Sequence, residues 1–363
     1  MICATSSHES DLERNESPSN ASWHRIGAFG DRLARSWLRG PDVCAVRWLS
    51  AEWRTLEGVT VDAELDWRAP HPTDLLQTVG VLRRGPGDPT YRLAADGSVW
   101  RTTRMPAGPA TMRLSQRGAN EFRCEAWGPG AAEAVASAPD LLGARDETDA
   151  FEPRLPRIAD AHRRNPGMRV ARSGRVFEAL VPAVLEQKVI TLQAHDSWRM
   201  LLWRFGEDAP GPTPFRMRVA PAPDGWRRIP SWEWHRAGVD PKRSRTIVSL
   251  APFAARIDEA AAMTPADAFS RLTHFTGVGA WTAAEVAQRA LGDADAVSVG
   301  DYHLANFVGH ALEGRDMTDD EMLVALEPWA GQRYRAIRLL GYSGSRGKPR
   351  RGPRMEFVDH RAR

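Results

Sequence analysis

Phe275-Thr276-Gly277-Val278-Gly279-Ala280-Trp281-Thr282-Ala283 is the stretch on which the reading of this 363-residue chain turns. Just upstream, Thr264-Pro265-Ala266-Asp267 has the form of a helix start: a hydroxyl cap, a proline in the first turn and an acid three residues on. That helix is expected to end at about Phe275. A Gly-x-Gly hairpin follows, and a second helix starts at about Ala280. Two glycines let the backbone turn tightly and let a ligand come close to it. The second helix presents unpaired N–H groups with positive dipole character. Together these make an anion site suited to a phosphate. By itself Gly-x-Gly is a weak signal, because many helix–turn–helix corners carry it for packing alone.

Two further positions stand out around the hairpin. Asp301 follows Gly279 by 22 residues, in Val299-Gly300-Asp301-Tyr302-His303. A helix-sized segment and a short extended link (293 to 299) fill the interval. An aspartate before a helix ordinarily caps it, and a carboxylate there is also available for chemistry. Upstream, Phe177, Leu180, Val181, Val184, Leu185, Val189 and Leu192 recur every three or four residues. They predict one long helix running to about Arg204. Gln187 interrupts its apolar face, either as a satisfied residue at the helix edge or as a functional one. Residues 209–230 are rich in proline and read as a loop, and residues 243–255 as another helix.

The N-terminal half has a different period. Tyr91-Arg92-Leu93 and Val99-Trp100-Arg101-Thr102-Thr103 flank Asp96-Gly97, a hairpin signal because both turn residues need positive φ. Residues 59–67 and 110–114 read as further strands, and 131–138 as a short helix. The expected organisation is a disordered leader (1–25), an α+β domain with an antiparallel sheet (26–150), a helical domain (151–344) and a basic tail (345–363).

Composition narrows the class. Hydrophobic residues are 42% and charged residues 26%, as in ordinary globular proteins. No apolar run approaches the ~18 residues of a membrane span. Glu9, Asp11, Glu13 and Glu16 precede any apolar core, unlike a secretory signal, so a cytoplasmic protein is expected. Cys3, Cys44 and Cys124 give neither a disulfide framework nor zinc or iron–sulfur spacing. No phosphate-loop signature is present, and no His-x-x-x-His pair with a carboxylate. The net charge is only +3. The tail holds seven basic and two acidic residues, which leaves −2 for the rest. A polyanionic partner must therefore be met locally rather than by bulk charge.

The hairpin, Asp301 and Gln187, in this order and at these distances, resemble the helix–hairpin–helix (HhH-GPD) DNA glycosylase superfamily. Gly-x-Gly-x-Trp-Thr-Ala followed by Asp-Tyr is similar to its 3-methyladenine DNA glycosylase II branch. Ala237-Gly238-Val239 with Lys242-Arg243, and Pro328-Trp329 with Tyr334, extend the likeness over residues 165–343. It implies a mostly α fold of two helical subdomains with a cleft, preceded by a small α+β domain. It also implies a monomer acting on double-stranded DNA that contains damaged bases, associated with the nucleoid. No cofactor would be required and no iron–sulfur cluster held. The implied reaction flips the damaged nucleotide out of the duplex and hydrolyses its N-glycosidic bond, leaving an abasic site. Asp301 matches the catalytic aspartate. Gly277, Val278, Gly279 and Thr282, with Gln187 and Lys188, match the DNA contacts. The carbonyls of Thr273, Phe275 and Val278 match a site for Na+ or K+ bridging hairpin and phosphate. Trp281 stands where bifunctional members carry the lysine that attacks the sugar and leads to strand cleavage, so a monofunctional enzyme without lyase activity is implied. Trp281 and Tyr302 would wall an aromatic pocket suited to cationic alkylated purines, or else pack in the core.

Some positions depart from that pattern. Glu285 stands where a second pocket aromatic is expected, Leu340 or its neighbour where a pocket tryptophan is expected, and Lys188 where an apolar wedge is common. These changes leave the reaction class alone and open the question of substrate. Three functions are thus distinguished: excision of alkylated purines, the same chemistry on another lesion, and DNA binding without catalysis.

Overall fold

In the computed structural model the chain is described over residues 60–345. The expected leader, residues 26–59 and the tail beyond Ser345 lie outside the described residues. The chain enters through strand β1 (Ala63–Arg68) and a short helix α1 (Leu75–Val79), capped by the Asp74 carboxylate, which accepts the Gln77 N–H. Strands β2 (Tyr91–Leu93), β3 (Val99–Met105), β4 (Gly108–Gln116) and β5 (Glu121–Trp127) follow. They form one antiparallel sheet in the order β1-β5-β4-β3-β2. A hairpin joins β2 to β3 at Asp96-Gly97, but not as the tight turn with two positive φ angles: the loop spans residues 94–98, only Gly97 has positive φ, at +81°, and Asp96 accepts the Ser98 N–H at 2.9 Å.

Strand β5 was not expected, although its alternation is plain: Phe122, Cys124 and Ala126 face the core between Arg123 and Glu125. Leu114 of β4 lies opposite Cys124, and helix α2 (Ala131–Leu141) covers this inner face. On the other face Trp100 and Trp127 stack at 5.4 Å, covered by Met217 and Phe215.

Helix α3 (Pro156–Arg164) is followed by α4 (Val176–Leu185) and α5 (Thr191–Phe205). The single helix expected through residues 177–204 is therefore two. The break falls at Lys188, which has φ +55° and is the one non-glycine residue with positive φ among the described residues. No glycine or proline announces it. Long-range contacts to Glu186 and Gln187, described below, hold the chain in that break against the helical pattern.

The proline-rich segment is not all loop. Strand β6 (Glu207–Asp208) pairs with β7 (Arg218–Val219), and α6 (Pro223–Arg228) follows. Trp226 anchors α6 between Trp198 of α5 and Trp234 of α7 (Ser231–Arg236), with ring separations of 6.2 and 5.8 Å. Then come α8 (Pro241–Leu250), α9 (Ala254–Asp258), α10 (Pro265–Thr273), α11 (Ala280–Val286), α12 (Leu304–Leu312), α13 (Asp319–Leu326) and α14 (Arg333–Tyr342). Thr264 caps α10 as its sequence predicts, accepting the Asp267 N–H.

The helices divide between two apolar cores. One gathers residues from Val176 to Ala290, the other Phe151 to Met168 with Ala305 to Leu340. The chain crosses from the first to the second through residues 293–301, so Asp301 sits on the crossover.

Candidate active site

The hairpin between α10 and α11 closes with the Val278 N–H donating to the Phe275 carbonyl at 3.0 Å. Its two glycines do different things. Gly277 has φ +90°, and a Cβ there would meet Thr246 Oγ1 at 2.5 Å, so both the turn and the packing exclude a side chain. Gly279 has φ −97°, and a Cβ there would point into open space. The first glycine shapes the hairpin on α8; the second keeps its outer surface bare. Gln187 braces the hairpin from the end of α4, its amide donating to the Gly277 carbonyl and to Thr282 Oγ1, both at 2.9 Å. Helix α11 passes directly into a π-helical turn, residues 287–291, and ends at Gly292 with φ +71°.

Asp301 is half-buried and hydrogen-bonded through both oxygens. Its Oδ1 accepts the backbone N–H groups of His303 and Leu304 at 2.8 and 3.0 Å. Its Oδ2 accepts the Trp281 indole N–H at 3.2 Å. The aspartate thus caps α12 with one oxygen and is tied to the hairpin helix with the other. Among the described residues no cationic side chain pairs with it, so its negative charge is not neutralised by an ion pair. Its turn is fixed from behind: the Asp301 N–H donates to the Ser298 carbonyl, and the Gly300 N–H to Asp319.

Behind the turn lies a buried polar chain that has no local signature. Ser298 Oγ receives the Gln288 amide at 2.9 Å and donates to Glu285 Oε1 at 2.6 Å. Glu285 Oε2 takes Arg289 Nη1 at 2.7 Å, and Arg289 Nε reaches the Val81 carbonyl beside the sheet. Glu285 holds the Arg289 guanidinium above its ordinary pKa despite its burial. Alongside it, Arg84 grips both oxygens of Glu186 at 2.9 and 3.1 Å, with His195 3.6 Å away. Burial works to raise the Glu186 pKa, but Arg84 and the hydrogen bond from His195 outweigh it and bring it down to about 2. Arg84 and Glu186 lie 102 positions apart, beyond the reach of any sequence pattern. Both polar chains end next to functional candidates: Glu186 precedes Gln187, and Ser298 precedes Asp301.

Several expected site residues take other places. Leu340 is fully buried in the second helical core and walls no pocket. Glu285 is held by Arg289 and Ser298 in an internal ion pair and hydrogen bond. Val278 is buried at 4% exposure, with its N–H engaged in the hairpin turn, and Thr282 at 2% lies under the hairpin with its hydroxyl on Gln187. The outer surface of the hairpin is therefore formed by Thr276, Gly277 and Gly279, with Ala280. Lys188 is exposed in the strained break beside Gln187. Tyr302 is 73% exposed, its ring edge-on to His303 at 4.7 Å. Trp281 and Asp301 thus meet across the two helical cores, and the Tyr302 ring stands exposed beside Asp301 in sequence.

Known structures share this arrangement of elements. A 3-methyladenine DNA-glycosylase from Archaeoglobus fulgidus superposes with a TM-score of 0.63 at 17% identity, covering 77% of this chain and 97% of its own. The fold is that of the helix–hairpin–helix DNA glycosylases. An 8-oxoguanine glycosylase/lyase from Clostridium acetobutylicum, in complex with double-stranded DNA containing cytosine opposite 8-oxoG, superposes with a TM-score of 0.60 at 11% identity, covering 78% of this chain and 97% of its own. No family model matches the sequence, and no curated protein does. The glycosylase fold is thus recognised through the backbone rather than through overall sequence likeness. No described helix is long and apolar enough to cross a membrane.

Proposed function

We propose that the chain is a monofunctional DNA glycosylase that removes a damaged base, an alkylated purine, and leaves an abasic site. The observation that carries this reading is the Asp301 carboxylate, held without a cationic partner where the hairpin helix meets the second helical core. Breaking an N-glycosidic bond builds positive charge on the sugar. A carboxylate about 4 Å away, at an effective dielectric near 20, stabilises that charge by about 4 kcal/mol. Where this is felt in the transition state alone, it amounts to roughly a thousandfold in rate. The three donors on Asp301 fix where the charge sits, and the same carboxylate can orient the attacking water.

Gly277 and Gly279 would receive the DNA phosphate on their exposed backbone. The carbonyls of Thr273, Phe275 and Val278 would hold a Na+ or K+ ion, which supplies positive charge beside that phosphate. Replacing Gly279 with Ala is expected to leave the melting temperature unchanged, because the methyl meets nothing, and to weaken duplex binding. Gly277→Ala is expected to destabilise the fold by on the order of 1–3 kcal/mol through its backbone strain, with a clash on Thr246 in addition. Thermal melts paired with DNA titrations of the two variants test this division. Equal melting of both variants would contradict it.

Lyase activity is a matter of residues rather than of fold, since the Clostridium protein is a glycosylase/lyase. Trp281 has no amine to attack the sugar carbon, and its N–H is committed to Asp301. Its indole face, with the Tyr302 ring, suits stacking on a cationic alkylated purine. We expect methylated duplex DNA to yield free methylpurine with no borohydride-trapped protein–DNA adduct. A trapped adduct would overturn the monofunctional assignment. The capping of α12 by Asp301 favours a second reading, in which the aspartate is structural and the chain binds DNA without catalysis. Tight duplex binding with no base released would establish that reading instead.

A further inference from the structure

The described part of the chain pairs its arginines almost one by one. Even exposed ones are matched, such as Arg163 and Arg164 on Asp160 and Arg315 on Glu313 and Glu321. Others donate to carbonyls, as Arg172 does to Ala261. Among the described residues, the side chains of Lys188, Lys242, Arg245 and Arg256 stand apart: all are exposed, and none has a hydrogen-bond, ion-pair or ring partner. They include two of the three lysines in the whole chain.

Lys188 lies in the break beside the hairpin. The other three lie on one helical run, α8 through the 3-10 turn 251–253 into α9. Arg245 follows Lys242 by three residues, so the two share a side of α8 with the exposed Ser249, and Arg256 lies on α9, just beyond the 3-10 turn that carries the exposed Phe253. The acids at the ends of this run are already engaged, Asp240 by Arg243 and Asp258 by Arg175. The run lies directly against the hairpin. Thr246 is the residue a Cβ at Gly277 would strike, and the Phe253 ring is 5.8 Å from Phe275.

We infer that Lys242, Arg245 and Arg256 form a phosphate track for duplex DNA flanking the hairpin contact. The inference rests on the DNA reading of the hairpin. Cations that are exposed and unpaired are free to exchange bulk counterions for phosphates without breaking an internal ion pair. In a chain of small net charge, this local surface contributes counterion release on DNA binding.

The test uses the full chain and a plain duplex, with binding followed from about 50 to 200 mM salt, the range over which phosphate contacts weaken most visibly. Lys242→Gln, Arg245→Gln and Arg256→Gln are each expected to lower the slope of log K against log salt by about 1, and together by about 2–3. A control triple, Arg163→Gln, Arg164→Gln and Arg315→Gln, removes as much charge elsewhere and is expected to keep the wild-type slope. A stripe variant that keeps the full slope while melting like the wild type overturns the inference, as does a control that loses as much. A wild-type chain that binds no duplex at any salt overturns the DNA reading itself, and the track with it.

Discussion

Asp301→Asn is expected to slow base release by roughly a thousandfold, the loss of about 4 kcal/mol of transition-state stabilisation, while duplex binding is retained. The side chain keeps nearly the same shape, so the cap on α12 survives: an amide oxygen still accepts the His303 and Leu304 N–H groups. The cost in the folded state is confined to Oδ2. In its place stands an NH2 group facing the Trp281 indole N–H, a donor against a donor. Losing one such hydrogen bond costs about 1 kcal/mol of stability. A modest drop in melting temperature with a collapse in single-turnover rate would therefore separate the chemical role from the capping role. Full activity in this variant would show that Asp301 only caps. Glutamate at the same position retains the charge but displaces it by one methylene, and is expected to fall between the two.

The second large effect concerns the buried pair behind Gln187. Glu186→Gln is expected to destabilise the protein by about 3–5 kcal/mol, because it leaves the Arg84 guanidinium buried without a counter-charge. Replacing the pair together, as Arg84→Met with Glu186→Leu, is expected to recover much of that loss. The same pair gives the fold an acid limit. Unfolded, Glu186 titrates near 4.5; folded, it titrates at about 2. The folded pKa is the lower one, so its stabilisation is complete above about pH 4.5 and is lost as the pH falls toward 2. Its size is on the order of 3 kcal/mol. Burial lowers the Arg84 pKa, but from the far higher ordinary guanidinium range, so the carboxylate is the group that titrates in acid. Denaturant titrations at pH 7 and pH 3 should show a smaller pH dependence in Glu186→Gln than in the wild type. An identical pH dependence would remove Glu186 from the account.

Local patterns made much of this legible in advance. The hairpin, the Thr264 cap and the Asp-Gly turn each rest on chemistry within a few residues, and all three appear where the sequence puts them. What escaped was long-range. The break at Lys188 follows a stretch with unbroken helical periodicity, and distant partners hold its neighbours: Arg84 on Glu186, Gly277 and Thr282 on Gln187. Glu285 and Leu340 were placed by resemblance, and each has a structural occupation instead, an internal ion pair for one and a core for the other. The Trp281–Asp301 hydrogen bond joins two residues that the sequence singled out separately, 20 positions apart, with nothing in their spacing to say they would touch.

The most direct test of the central claim is made on a single-lesion duplex with one strand end-labelled. The wild-type protein is incubated with it, and the labelled strand is sized before and after hot alkali. An intact strand is expected before alkali, with a single break at the lesion after it and one equivalent of free damaged base by mass. An alkali-stable strand with no free base, from a protein that binds the duplex, would contradict it.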